Sequence, residues 1–437
     1  MSARAGQNRH PVLRRILRNS SWVLAARTAG ALLGLVSLAL MARALGPAGL
    51  GLVAAAQAYT RIAGRLLRLE PWQCVIKFGA AALESGAEER FLRLLKFSVL
   101  ADLAGGLLAG SAALAAAALV APWLNLGPEG PQFLALLAAG LFINLHASAL
   151  AVLRLLDRFD LLAKADVAVA AARLGLSAAA YAAGLGIWGF LLILLLESLA
   201  NGLLAFVLAL RLLRRRGFGR LRAVPLAGLR AENPGLLRLM WEANITVILR
   251  QTVQRLDVLL LSALGGAAAA GSFHLARQVA EAAVKFVRPL NQAVYPEFAR
   301  IWAAGDRAGL RRLSYGACGV LAAAGLALVL ALAPHMAVLL NLFFGAEFAA
   351  AAGLVTLQMA AAVLLLAGLM LGNALLSMGE GRALVRISLL ASVLFLAALI
   401  LLVPGLAAMG AVLAHLLMGT VLAGGTLLAV RRRLRAP

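Results

Sequence analysis

Three arginines, Arg61, Arg65 and Arg68, stand in the stretch QAYTRIAGRLLRLEPW, amid a chain made mostly of alanine and leucine. Steps of four and three residues put them on one helical face, with Gln57 one turn earlier on the same line. A row of fixed positive charges beside an amide can hold an anion. A second row follows 220 residues later, where Arg277, Glu281, Lys285 and Arg288 match it and His274 and Gln278 share their side of the helix. Other polar groups interrupt apolar stretches: Arg27, then Asn244, Arg250, Gln251, Gln254, Arg255 and Asp257. Asp102, Glu242, Asp257 and Glu281 are carboxylates that could titrate or take a coupling ion. Cys74 and Cys318 are far apart, and His10, His146, His274, His335 and His415 are scattered. Neither a metal site nor a disulfide framework is signalled, and no cofactor is implied.

The elements that must carry these groups follow from composition. With 437 residues, 63% of them hydrophobic, and a mean hydropathy of +0.93, the chain reads as an all-α polytopic membrane protein. Its net charge of +23 comes from 41 Lys+Arg against 18 Asp+Glu. In a soluble protein that excess would suggest nucleic acid; here the loops explain it, and no nucleic-acid partner is expected. The first apolar run, 22–45, is too long for the core of a cleaved signal peptide and reads as a permanent span. On the rule of about 20 mainly apolar residues per crossing, twelve spans are expected.

Charge tests that count. The connections at Gly46, Ala121, Gly184, Gly265, Pro334 and Pro404 hold no lysine or arginine, whereas the alternate set, from the N-terminus through RLLRRRGFGRLR to the tail RRRLR, is basic throughout. Under the positive-inside rule both termini and every basic loop are cytoplasmic, where anionic lipids are their natural partners. The expected organisation is a basic cytoplasmic N-terminus (1–19), a six-helix bundle (20–213), a basic linker (214–234), a second six-helix bundle (235–430) and a basic tail (431–437).

The halves show matched features. Trp22 pairs with Trp241 and Gly46 with Gly265, each 219 residues apart; Gly51 pairs with Gly271, 220 apart; LRLLKF at Leu92 is echoed by LRRLSY at Leu310. Six spans per repeat is an even number, so the two bundles should be related by a pseudo-two-fold axis along the membrane normal, around a central cavity.

An arginine at the centre of a lipid-facing helix costs roughly 2.5–3.5 kcal/mol, so three on one stripe are not expected to face lipid. A water-filled cavity would accept them together with Arg27, Asn244, Arg250, Gln251, Arg255, Arg277 and Gln278. Two blander alternatives stay open. Arg68 and Arg288 lie near a cytoplasmic end, where they can snorkel to headgroups, and the deeper arginines can pair with Asp257, Glu281 or Glu242. The bases outnumber those acids, which leaves positive charge for an anionic ligand.

ARALGPAGLGLVAAAQA at Ala42, LLNLFFGAEFAAAAGLVTLQ at Leu339 and LLSMGEGRALVR at Leu375, in this order and with the six-plus-six layout, resemble the polysaccharide-transport flippases of the multidrug, oligosaccharidyl-lipid and polysaccharide exporter superfamily. RLEPWQCVIKFGA at Arg68 departs from the pattern expected after the second helix. The resemblance implies a non-enzymatic transporter of the bacterial inner membrane. It would move polyprenyl-pyrophosphate-linked oligosaccharide to the outer leaflet by alternating access, with basic residues of the first, second, seventh and eighth helices on the anionic headgroup. Proton or sodium coupling through Asp257, Glu242 or Asp102 is left open beside that resemblance, as are contacts with polysaccharide polymerase machinery. A drug/cation exporter of the same fold should carry surplus carboxylates instead. A lipid II flippase should have fourteen spans, and a membrane glycan polymerase a larger outer loop with catalytic groups.

Overall fold

The computed structural model describes residues 9–67, 71–143, 145–252 and 256–435, and side chains from residue 21 onward except 246–252 and 285–293. Among the described residues the chain is helical, with short turns and no strand. An alanine-leucine sequence favours this intrinsically, and a bilayer requires it, because backbone groups in hydrocarbon must be satisfied within the segment. The order is α1 (Arg9–Leu67), α2 (Trp72–Glu84), α3 (Glu88–Trp123), α4 (Gly130–Phe142), α5 (His146–Leu155), α6 (Phe159–Ala182), α7 (Gly186–Arg215) and the short α8 (Leu229–Glu232). Then come α9 (Leu236–Thr252), α10 (Leu256–Ala303), α11 (Arg307–Leu332), α12 (Met336–Phe344), α13 (Ala352–Ser377) and α14 (Gly381–Arg435).

Among the described residues, eight helical segments are long and apolar enough to cross a membrane. Two of them, Ser21–Leu67 and Gly381–Arg435, run for 47 and 55 residues, about 70 and 80 Å at 1.5 Å per residue, against a hydrocarbon core of about 30 Å. Each of these helices is interrupted by a residue with non-helical dihedrals, Gly46 in α1 and Ala407 in α14, and α10 is interrupted in the same way at Gly266. α6 carries Asp160, Lys164, Asp166 and Arg173 along its length.

The chain divides into two compact units. The first comprises Met1–Ser37, Ala56–Pro122 and Gly127–Arg255. Its core gathers Phe91, Leu92, Leu95, Val152, Leu153, Leu212 and Leu213. The linker is not a loose loop but is strapped to the start of α3. Lys96 Nζ donates to the carbonyls of Val224 (2.7 Å) and Arg222 (3.1 Å), Gly219 N–H donates to Glu88 (2.6 Å), and Arg90 donates to Asn233 (3.2 Å). Arg93 is held between Glu89, at 2.7 Å, and Glu232. Buried Tyr59, in the second half of α1, donates to the Ala113 carbonyl at 2.6 Å. Tyr59→Phe should therefore lower stability by about 1 kcal/mol, read as a lower melting temperature in detergent with the fold retained.

The second unit comprises Leu38–Ala55, Trp123–Leu126 and Leu256–Pro437. One cluster packs Phe298, Leu310, Leu371, Leu375, Met378 and Val430. At the corners, the glycine with positive φ is Gly46 (62°) in α1 and Gly266 (82°) in α10, so the partner of Gly46 is Gly266 rather than Gly265. The left-handed conformation decides which of two adjacent glycines turns the chain. With that correction the corners share the 220-residue register of Gly51 and Gly271. A Cβ on Gly51 would collide with the Ala267 carbonyl, and one on Gly271 with the Pro47 carbonyl, a reciprocal contact of backbone on backbone. Nearby, Arg43 donates to the carbonyls of Phe343 (3.1 Å) and Leu342, and Asn125 to those of Ala263 (2.9 Å) and Ser262 (3.1 Å).

Candidate functional site

The arginine stripe of the first unit is set by what its helix buries. Ala55, Ala56, Ala58 and Tyr59 are buried, and the Tyr59 bond pins that side of the helix to α3. Two residues on, across the helix, Arg61 is exposed, while Gln57 and Arg65 are half-buried. Arg61 donates to Gln57 Oε1 at 3.3 Å, so the amide orients the guanidinium along the stripe. Arg27 is also exposed. Arg68 and Arg255 lie outside the described residues, as do the side chains of Arg250, Gln251, Lys285 and Arg288. Asn244 is buried on α9, where its amide donates to the Met240 carbonyl one turn back at 2.8 Å.

The carboxylates take different positions. Glu242 is exposed and receives Arg238 at 2.7 Å. Asp102 is buried, and one of its oxygens accepts from Ser148 N–H (2.9 Å) and Ser148 Oγ (2.6 Å). Ser148 lies in the first turn of α5, just after the break that separates it from α4. Asp102 thus caps a helix N-terminus from a neighbouring helix, satisfying a backbone donor that a break within the membrane would otherwise leave open. Ser98 joins through a 2.8 Å hydroxyl contact with Ser148. Arg173 and Glu197 form a half-buried pair at 3.1 Å.

A denser cluster lies in the second unit. Arg277 is ion-paired to Asp257 and, at 2.9 Å, to Glu281. Asp257 is 1% exposed at its side chain. His415, from α14, brings Nε2 to 3.6 Å from the same Asp257 oxygen. Its ring lies between Phe273, stacked at 5.5 Å between centroids, and Phe395 at 4.8 Å. Gln278 approaches His274 at 3.5 Å on the same helix. The sequence places Asp257, Arg277 and Glu281 in polar stripes but leaves His415 among scattered histidines. No local spacing links it to residues more than a hundred positions earlier; only the packing of α14 on α10 does.

Among the described residues no group of three His, Cys, Asp or Glu side chains is arranged to hold a metal ion. Cys74, on the short α2, donates to the Leu236 carbonyl at 3.5 Å, and burial pushes its thiol up to about 11, which leaves it protonated and unreactive at neutral pH.

The same helical architecture occurs in an inward-facing MATE family transporter of the MOP superfamily (TM-score 0.68, 16% identity, 95% of this chain and 94% of that one). It recurs in the lipid II flippase MurJ in an inward closed conformation (0.65, 12%, 95% and 87%). It is also found in a MOP superfamily transporter from Pyrococcus furiosus (0.62, 14%, 97% and 96%). A sequence profile of polysaccharide biosynthesis proteins matches residues 16–302, and the chain belongs to that family. Inner membrane protein YghQ of Escherichia coli (strain K12) is 28% identical over 346 residues, covering 77% of this chain and 94% of that one. With its apolar spans, the chain is a multi-pass membrane protein of the polysaccharide biosynthesis family.

Proposed function

We propose that this protein is a flippase that carries polyprenyl-pyrophosphate-linked oligosaccharide from the inner to the outer leaflet for cell-surface polysaccharide assembly. The observation that carries the proposal is the basic stripe of Gln57, Arg61 and Arg65, exposed at Arg61 and half-buried at the other two, on a membrane-spanning helix whose other face is packed. Charges within a span face the bundle interior or a water-filled cavity rather than lipid, and they mark substrate pathways. Arg27 is exposed on the preceding span. Arg277 contributes less to anion binding in this reading, because two carboxylates already neutralise it.

The proposed layout is twelve spans. It is reached by dividing α1, α10 and α14 at Gly46, Gly266 and Ala407, joining α4 to α5 and α9 to the first part of α10, and counting α6 despite its charges. Two six-helix bundles, 20–213 and 235–430, would be related by a pseudo-two-fold axis, a relation that the reciprocal Gly51–Gly271 contact supports. The positive-inside rule supports cytoplasmic termini. Alternating access then exposes the arginine stripe first to the cytoplasmic leaflet and later to the outer one. Outward movement of an anion from a negative interior is assisted by about 2.3 kcal/mol per charge per 100 mV.

The test is flipping of a fluorescent polyprenyl-pyrophosphate-linked oligosaccharide in proteoliposomes. Each charge-assisted hydrogen bond to an anion contributes about 1.5–3 kcal/mol, so Arg61→Ala and Arg65→Ala should each weaken apparent affinity by roughly 10- to 100-fold. Normal flipping by both variants would sink the arginine assignment. Export of cationic dyes with no movement of the pyrophosphate lipid would replace the whole reading with that of a drug exporter.

A further inference from the structure

We propose that the first unit carries a recess for the sugar part of the lipid-linked substrate, built on Asp166, His146, Arg27 and Arg154 and suited to an uncharged, hydroxyl-rich ring; this rests on the flippase reading above. All four residues belong to the one compact unit. On α6, Leu162, Ala163, Ala165 and Val169 are buried. Asp166 stands on that packed side, four residues after Leu162 and three before Val169, yet it is exposed. Protein nonetheless surrounds its carboxylate, so the exposure marks a recess in the packed face rather than contact with lipid.

A broken helix makes the room. The apolar segment Gly130–Leu155 is interrupted between α4 and α5, and non-helical backbone at membrane depth is tolerated only where it is buried in protein or lines water. Ile143, at the break, is exposed. His146 follows as the first residue of α5, and its Nδ1–H donates to the Asn201 carbonyl of α7 at 3.3 Å, which orients the ring. Asp166 lies within electrostatic reach of His146 and Arg27, and Arg154 within reach of Arg27. His146 is nine residues from the end of α5 and Asp166 seven from the start of α6, so both sit about 10–14 Å from the turn that joins these helices. Arg154 lies beside that turn. Its guanidinium covers Trp72 at 5.2 Å, and its Nε is buried with no hydrogen-bond partner, a donor that lacks the acceptor buried groups normally have.

The mixture of groups selects the ligand. A carboxylate only accepts hydrogen bonds and a guanidinium only donates them. An anion would be repelled by Asp166, and a cation by Arg27 and Arg154. A sugar hydroxyl donates and accepts at once, so an uncharged ring can bridge groups of both signs. Arg173, two turns beyond Asp166 on the same line of α6 and paired with Glu197 of α7 at 3.1 Å, continues the alternation of donor and acceptor. The arginine stripe at Arg61 and Arg65 would then hold the pyrophosphate, and the recess would read the sugar attached to it.

The test uses the full chain and has two arms. In nanodiscs, a panel of soluble, uncharged bacterial oligosaccharides, free of lipid and phosphate, is titrated and read by calorimetry. At least one should bind, and Asp166→Ala should weaken that binding by roughly 10- to 100-fold. Asp166→Asn, which keeps one acceptor oxygen, should lose less, and both variants should melt with wild type because Asp166 is exposed. In proteoliposomes, wild type should prefer fluorescent polyprenyl pyrophosphate carrying the bound oligosaccharide over the same carrier without sugar. Asp166→Ala should lower that preference by the same factor. The proposal is overturned if no oligosaccharide binds wild type, if Asp166→Ala binds it equally well, or if the variant loses the bare and the glycosylated carrier alike. If the oligosaccharide binds through Asp166 but wild type moves no pyrophosphate lipid, the flippase reading falls and the sugar site stands.

Discussion

Arg277→Met should destabilise the protein by about 3–5 kcal/mol, the range found when one partner of a buried ion pair is removed. Methionine keeps most of the side-chain volume, so the loss reports charge rather than a cavity. The variant leaves Asp257, 1% exposed, without the guanidinium that pairs with it. Thermal melting of purified protein in detergent measures the effect. The double variant Arg277→Met with Asp257→Asn should recover much of the loss, because removing both charges also removes their desolvation cost. A double variant as unstable as the single one would show that Arg277 acts through packing. This outcome is separate from anion binding by Arg61 and Arg65, whose replacement should change transport and leave stability almost unaltered, since Arg61 is exposed.

Class and fold were legible because a membrane reduces the options. Apolar length, helix propensity and basic loops are local properties, and they mark most spans without tertiary information. The stripe at Gln57, Arg61 and Arg65 was legible for the same reason, since a 3.6-residue period is local. Long-range pairing was not. Asp102 looks like a lone intramembrane acid until Ser148, on the far side of a helix break, appears at its oxygen. Arg277 looks like a candidate anion ligand until Asp257 and Glu281 occupy it. The linker reads as solvated charge, yet Lys96 and Glu88 strap it down through main-chain groups that the pattern of side chains does not encode. Three GxxxG pairs lie in apolar helices: Gly106 and Gly110 meet Leu141 and Phe142, and Gly368 and Gly372 meet Leu422 and Leu384, whereas Gly30 and Gly34 touch nothing within 4 Å. The motif is the same in all three; the neighbour decides its use.

That contrast makes the glycines a controlled experiment. Gly51→Ala and Gly271→Ala should each destabilise the second unit by about 3 kcal/mol, the upper part of the range for overpacking. The new methyl would meet the main-chain carbonyl of Ala267 or Pro47, and a carbonyl held by its own helix cannot change rotamer to make room. Separation of the two helix segments is the remaining relief, and it breaks the reciprocal contact altogether. The two substitutions should consequently be less than additive when combined, because the first already opens the gap that the second needs. Gly30→Ala and Gly34→Ala add the same methyl to open space within a helix and should stabilise by up to about 1 kcal/mol each through helix propensity. Melting temperatures of the four variants and the Gly51/Gly271 pair provide the check. Equal behaviour of Gly30 and Gly51 would mean that the backbone contact is not part of the stable structure. Loss of stability at Gly51 and Gly271 alone would identify a close helix–helix seam that any rearrangement for transport must part or pivot upon.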